Sequence, residues 1–234
     1  MDRYPRLQAS LKEVFLQLPV SIRGRQLIRD HLRSLPRNQT FLLVGANDGV
    51  TNDHVSPFVR SRGWRGAAVE PVLQYFQQLQ AHYLGLPVTC LNVAVHDTAT
   101  SLPFYWLEDS ASVQIPAFAK GVGSFSRANV ELVILEHPEL APSIRERQVP
   151  CMTLTDIVKT AALPVVEVLV VDTEGYDAQV ILQADFNTWK THTVIFEHKL
   201  LSADEMKQTT DFLERAGFRC ESDRFDTLAV RNPV

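Results

Sequence analysis

The sequence predicts an α/β fold: a doubly wound, mostly parallel sheet with helices on both faces and one antiparallel edge strand near the carboxyl end. Three observations predict it. Short, continuous apolar runs alternate with segments of helical periodicity, and strands covered on both faces read this way because crossover helices bury them. The runs end against glycine, carboxylate or histidine, which is where ligands meet an open parallel sheet. The last two runs, "GFRCES" and "DTLAVR", flank Asp223–Phe225 closely enough to form a hairpin.

Each element follows in order. Leu11–Leu18 and Leu27–Leu35 carry short amphipathic patterns punctuated by Pro19 and Pro36. Residues 1–38 hold eight Lys/Arg against three Asp/Glu, a balance of +5. They are expected to form a solvated helical appendage, with a docking surface for an anionic partner as the alternative. The main domain, residues 39–234, opens with the strand "TFLLVG" (40–45). "GAAVEP" (66–71) is the second strand, and Leu73, Phe76, Leu79 and Tyr83 follow it at helical spacing. "PVTCLNVAV" (87–95) is the third, "VEVLVVD" (166–172) the fourth and "HTVIFEH" (192–198) the fifth. Residues 203–216 form an amphipathic helix with Met206, Thr210, Leu213 and Ala216 inward. Residues 99–150 break the rhythm, and a long excursion of this kind reads as a cap over the substrate side. In it, Tyr105, Trp106, Phe118 and Phe125 are candidates to stack on an acceptor, and Lys120 and Arg127 to meet an anionic group.

Composition narrows the class. The chain has 234 residues, 45% of them hydrophobic and 21% charged, with a formal charge of −4. This is an ordinary globular balance with no global field marking a nucleic-acid protein. No apolar stretch approaches the roughly 20 residues that cross a bilayer. The amino terminus lacks a signal-peptide pattern. Cys90, Cys151 and Cys220 are far apart and odd in number, so reduced thiols and a cytoplasmic location are expected. The oligomeric state is open, and a homodimer is compatible with everything in the sequence.

Polar residues gather at the ends of the apolar runs. The first strand opens into Gly45, Asn47, Asp48 and Gly49, a Gly-x-Asn-x-Gly turn. Glycine lets the chain take positive φ and lets a ligand approach the backbone. The turn lacks the third glycine of a dinucleotide fingerprint and the lysine of a phosphate loop, which argues against a pyrophosphate and disfavours a nicotinamide oxidoreductase. It suits a small zwitterion, with Asn47 and backbone N–H groups on a carboxylate and Asp48 on an ammonium. Glu70, about 20 residues beyond the glycine turn at the end of the second strand, can accept both hydroxyls of a ribose. A ribose-binding carboxylate without a pyrophosphate turn favours S-adenosyl-L-methionine. Asn92 and Ala94 at the third strand complete the expected cofactor contacts. At the fourth, "DTEGYD" offers Asp172 and Glu174. Asp172 is expected to face the reaction centre as general base and to touch the cofactor, with Glu174 and His198 as rivals for the base. No spacing demands a metal. Magnesium needs only one or two protein carboxylates plus waters, and Asp172, Glu174, Glu197 and His198 offer donors.

Taken together, "VGANDGVTND", "AAVEP", "LNVAV", "CMTLTDIV", "LVVDTEGYDAQVI" and "VIFEH" resemble the FkbM-type S-adenosylmethionine-dependent methyltransferases, from about Phe41 to Glu197. The resemblance implies a class I, Rossmann-like methyltransferase sheet and methylation of a hydroxyl on a sugar, glycan or secondary metabolite. The chain departs from the family pattern at Leu43, two before the first motif glycine, where an acidic residue is usual, and at Val170, where many members carry lysine. A catalytically inactive S-adenosylmethionine-binding scaffold that recruits a partner is the alternative.

Overall fold

The computed structural model describes residues 22–51, 53–109 and 113–231. The helix expected at Leu11–Leu18 lies outside them. The chain opens with α1 (Ile22–Ser34) and β1 (Thr40–Val44), then α2 (Ser56–Arg62), β2 (Arg65–Val69), α3 (Leu73–His82) and β3 (Val88–Leu91). An excursion follows, made of β4 (Ala94–Val95), β5 (Ser101–Leu107), β6 (Gly123–Ser124), α4 (Arg127–Glu136) and β7 (Ile144–Met152). Then come α5 (Leu154–Thr160), β8 (Val168–Val171), α6 (Asp177–Ile181), α7 (Phe186–Trp189), β9 (Thr193–Glu197), α8 (Ala203–Arg215), β10 (Phe218–Ser222) and β11 (Asp226–Arg231).

Seven strands form the main sheet in the order β10-β11-β9-β8-β1-β2-β3. The pairs among β3, β2, β1, β8 and β9 are parallel, and β11 runs antiparallel to both β9 and β10. The antiparallel strand is therefore interior, not the expected edge. The tight turn after β10 sends the chain back into the slot beside β9, where both rows of its backbone groups find partners. Asp223 closes that turn by accepting from the N–H groups of Phe225 and Asp226.

The apolar runs are continuous because both faces are covered. Phe41 and Leu43 of β1 join Val168, Val170 and Ile195 in one core, with Ile28 and Leu32 of α1, Val59 of α2 and Leu79 of α3. Leu42 and Val44 face the other way, with Leu169, Val171, Val194 and Phe196, against Leu154 and Ile157 of α5, Val180 and Ile181 of α6 and Leu213 of α8. Helix α1 is thus part of the core: Ile28 and Leu32 are each 1% exposed. Helix α8 begins with a capping box, in which Ser202 and Glu205 satisfy each other's backbone N–H groups.

The expected third strand, 87–95, is divided. The Asn92 carboxamide donates to the carbonyls of Glu70 and Pro71 (2.8 and 3.0 Å), turning the chain out of the main sheet. Ala94–Val95 then pair with β7 in a second sheet, order β4-β7-β5-β6. The excursion is therefore an ordered layer with its own buried residues, among them Phe104, Trp106 and Val149. It is fastened to α3 by the Tyr75 hydroxyl, which donates to the Leu107 carbonyl at 3.3 Å.

Candidate active site

The register brings the strand ends level. Val44 pairs with both Val69 and Val171, Val171 with Phe196, and Glu197 with Asp226. The residues beyond them border one cleft of about 1030 Å³, part of it open to solvent. Gly45, Asn47, Glu70, Ala94, Asp172 and Glu174 line it. Asp48, Gly49, Asn92 and His198 do not.

Gly45 is required by close packing. A Cβ there would lie 1.7 Å from the Asp172 carbonyl oxygen, and φ is +80°. The strand-end turn is thereby pressed against the chain that carries Asp172. Asn47 is also left-handed, with φ +48°. Its N–H donates to Glu70 Oε2 at 2.9 Å, while its side-chain Oδ1 is buried with no hydrogen-bond partner among the described residues. The assignment of Asp48 to an ammonium is corrected: its carboxylate closes its own turn, accepting from the N–H groups of Val50 and Thr51 (2.8 and 2.7 Å) and from the Thr51 hydroxyl. Burial works against its charge, but these donors outweigh it and hold its carboxyl below the usual range. Gly49 serves packing, since a Cβ there would meet Leu79 Cδ1 at 2.9 Å.

Glu70 is buried at the end of β2. Oε2 accepts from Asn47 N–H, and Oε1 from Val72 N–H at 2.8 Å. It ties the two turns together and borders the cleft. Burial pushes its carboxyl up to about 7 despite those two hydrogen bonds. Asn92, as shown above, is a brace for Glu70 and Pro71 and not a cleft contact. Ala94 is in the wall with Val69, Val72, Val93 and Val95, an apolar surface beside the Glu70 carboxylate.

Two residues apart, Asp172 and Glu174 would share a face of an extended chain, but the chain leaves the extended conformation at Glu174, whose φ is +50°. One oxygen each from Asp172, Glu174 and Glu197 lies within 4.8 Å of the others. The loop is held by Asp177, whose buried carboxylate accepts from the N–H groups of Thr173 and Gly175 and from the Thr173 hydroxyl. Burial, and after it the neighbouring acids, raises the Asp172 carboxyl well above its ordinary value. Burial also raises Glu174, against the opposing pull of Lys199. For Lys199, desolvation disfavours the charge, but Glu174, Glu197 and Asp172 outweigh it and raise its ammonium. Lys199 is the cation that the chain itself brings to these acids. His198 turns away: Nδ1 faces the Thr227 hydroxyl at 3.0 Å, and its backbone N–H donates to the Phe225 carbonyl.

Sequence reasoning missed Asp226, which lines the cleft opposite the acids of β8. It opens an antiparallel strand, so its amino-terminal end reaches the edge where the parallel strands present their carboxyl ends. The hairpin pattern carried that signal. From the excursion, Phe104, Lys120, Gly121, Gly123 and Phe125 line the cleft, with Tyr176 beside them. Phe125 packs edge-on to Phe104 and Tyr176 (5.4 and 5.1 Å between centroids). Of the aromatic candidates, Phe125 alone borders the cleft. Trp106 is buried in the excursion's own core. Tyr105 alternates to the other side, and Phe118 is exposed beside His137. Arg127 is paired at the surface with Glu131 at 2.7 Å.

With this geometry in place, likeness to known proteins can be weighed. The family model described as the methyltransferase FkbM domain matches residues 44–220. The chain matches no curated protein. Among solved structures it is similar to the methyltransferase FkbM from Methylobacillus flagellatus KT (12% identity, 82% of this chain and 43% of that one, TM-score 0.48). It is also similar to a SAM-dependent O-methyltransferase from Thermotoga maritima (11% identity, 98% and 72%, TM-score 0.46). A third likeness is to precorrin-6y C5,15-methyltransferase from Geobacter metallireducens GS-15 (14% identity, 89% and 87%, TM-score 0.46). The main sheet itself has the parallel core and the carboxyl-terminal antiparallel strand that the sequence predicts. From the family match over most of its length, the chain belongs to the FkbM methyltransferase family.

Proposed function

We propose that this chain is an S-adenosyl-L-methionine-dependent O-methyltransferase acting on a hydroxyl of a sugar, glycan or secondary metabolite. The cleft fits the cofactor. Glu70 offers a carboxylate whose remaining lone pairs can accept a ribose diol, Val69, Val72, Ala94 and Val95 offer an apolar wall, and Asn47 offers a buried acceptor without a partner. When bound, S-adenosylmethionine supplies a methyl carbon activated by its sulfonium. The chain must align an acceptor oxygen with that carbon and take its proton. Alignment contributes roughly 7–11 kcal/mol in favourable cases, and a positioned base typically 10²–10⁴-fold.

The observation that carries the reading is the carboxylate floor. Asp172 borders the cleft, makes no side-chain hydrogen bond among the described residues, and holds a proton more tightly than an ordinary carboxylate. That combination suits removal of a proton from a hydroxyl. An Asp172 carboxylate oxygen would take the proton of the acceptor hydroxyl. Glu174 is the rival for this role, and the Lys199 charge keeps the crowded acids partly compensated. Phe104, Phe125 and Tyr176 offer ring surface for the acceptor.

Two measurements test this. Calorimetric titration with S-adenosylhomocysteine is expected to give saturable binding, and folded protein that gives no heat at near-millimolar ligand overturns the reading. Transfer of radiolabelled methyl from S-adenosylmethionine to a panel of free sugars and glycosides is expected for the natural chain. In Asp172→Asn, turnover should fall by about 10²-fold or more with S-adenosylhomocysteine affinity kept. Unchanged turnover would reject Asp172 as the base, and binding with no transfer to any hydroxyl would favour the scaffold alternative.

A further inference from the structure

Charge is divided along the chain. Residues 1–65 hold eleven Lys/Arg against five Asp/Glu, and residues 66–234 twelve against twenty-two. The fold gathers part of the first group onto one surface. The end of α1 meets the end of α2: Arg62 Nη1 donates to the Leu35 carbonyl at 2.6 Å, and the Asn38 N–H to the Arg62 carbonyl at 3.0 Å. Next to them the Arg65 N–H donates to the Gln39 carbonyl at 3.0 Å, where β1 and β2 begin side by side. Arg29 and Arg33 of α1, Arg37 of the turn, Arg60 of α2 and Arg65 of β2 are exposed, and Arg62 is half-buried. Elsewhere the surface mixes signs, as in Arg127 with Glu131 and Lys207 with Asp211. Segments 29–39 and 60–65 hold one carboxylate, Asp30, which pairs with Arg33 at 3.5 Å. Glu167, which reaches the start of β1, accepts from the Thr40 N–H at 2.7 Å. Arg60 and Arg62 donate to backbone carbonyls. Arg29, Arg37 and Arg65 make no side-chain hydrogen bond or ion pair among the described residues.

We infer that this arginine face docks on a bilayer surface carrying anionic headgroups. Ten of the eleven cations in residues 1–65 are arginine, whose planar fork engages phosphate oxygens two at a time. Two observations choose a lipid surface over a nucleic acid. Phe58 and Trp64, the aromatic residues of α2 and of the turn beyond it, are 7% and 0% exposed, so neither offers a ring for a base to stack on. In the sequence ahead of α1, outside the described residues, Leu11, Val14, Phe15 and Leu18 recur at helical spacing, with Arg3, Arg6 and Lys12 before and among them. Apolar residues at that spacing beside cations are the pattern of a segment that lies in a membrane interface, cations on the headgroups and apolar side chains in the acyl boundary. A phosphate backbone in water gives those apolar residues nothing to enter. The face lies where β1 and β2 begin, and the cleft beyond their ends, roughly 15 Å away along the strands. Docking therefore leaves the cleft open, and the inference stands apart from the cofactor reading.

The test is co-sedimentation of the full chain with vesicles of phosphatidylcholine alone and of phosphatidylcholine mixed with phosphatidylserine, beside titration of a labelled single-stranded RNA in the same buffer. Binding is expected to the mixed vesicles only, weakening as salt rises. An arginine near an anionic surface is worth about fivefold in affinity, so Arg29→Gln, Arg37→Gln and Arg65→Gln together should weaken it roughly 100-fold. Lysine at the same three positions should keep most of it. All three side chains are exposed and unpaired, so the unfolding temperature and S-adenosylhomocysteine affinity should not change. Leu11→Asn with Phe15→Asn should also release the protein from vesicles. No binding to the mixed vesicles overturns the inference, as does a triple glutamine variant that binds them like the natural chain. RNA bound more tightly than vesicles, with no effect of the Leu11 and Phe15 substitutions, overturns it in favour of a nucleic acid.

Discussion

At Gly45 there is no room for a side chain, and the reason is another strand's backbone. A methyl group there would overlap the Asp172 carbonyl, part of a backbone that the Asp172 N–H ties to the Val44 carbonyl at 2.9 Å. Gly45→Ala is expected to cost about 3 kcal/mol or more from overpacking and left-handed strain combined, visible as a large fall in unfolding temperature. Glu70 offers the opposite case, a side chain with two duties. Glu70→Ala should weaken S-adenosylhomocysteine binding and also leave the N–H groups of Asn47 and Val72 unpaired, costing about 2–4 kcal/mol in denaturant unfolding. An unaltered stability would show that water replaces both bonds. Much of this site was legible in sequence, because Gly45, Glu70 and Asp172 each end an apolar run. Residues whose side chains turn aside were not: Asp48, Asn92 and His198 occupy equivalent places, but each meets nearer partners than a ligand. Local hydrogen bonds decide that choice, and strand-end position does not encode it.

Among the elements, the β8-to-α6 loop is held by the excursion. The Glu174 carbonyl accepts from Ser124 Oγ and Asn129 Nδ2, both at 2.9 Å, and Gly175 leaves room for Asn129, whose Nδ2 would lie 2.4 Å from a Cβ. Two donors on one carbonyl sustain the left-handed Glu174 beside Asp172 and Glu197. Asn129→Ala is expected to raise amide exchange across 173–177, with a loss of about 1 kcal/mol in stability. Unchanged exchange would mean that Asp177 alone holds the loop. Helix α1 invites a similar test. Leu32→Ala should cost about 2–5 kcal/mol, because Leu32 is buried against the sheet. A cost near zero would return this helix to the solvated appendage that the basic composition suggested. Charge patterning exposed the polar face of α1, but its apolar side was too short to say what it packs on.

For the whole molecule, the consequence is a pH dependence of stability. Burial pushes Glu70 and Asp177 up to about 7, against the hydrogen bonds that each accepts. A raised carboxyl means that the folded state holds more protons than the unfolded chain between the ordinary carboxylate range and about 7. Stability should therefore fall as pH rises through that window, by at most about 3–4 kcal/mol for each group. Asp48, Asp185 and Glu205 are held below their ordinary range by hydrogen bonds that outweigh the penalty of burial where there is any. Their contribution is present above about pH 4 and is lost as pH falls further. Thermal unfolding is expected to peak between these limits, in the mildly acidic range, and Asp177→Asn should flatten the decline toward neutrality. A melting temperature rising steadily from pH 5 to 8 would contradict the burial argument.

By itself the sequence determined the sheet, its parallel core, the terminal hairpin and the polar rim at the strand ends. These follow from apolar periodicity and turn chemistry, which are local. Only the tertiary structure decided that the last strand slots inside the sheet, that the excursion is a second sheet, that Asp226 and Lys120 share a cleft with Asp172 and Glu70, and that Glu197 lies beside Asp172 and Glu174. Those outcomes depend on register and packing between segments far apart in the chain, where the same residue types fit several arrangements and backbone pairing selects one.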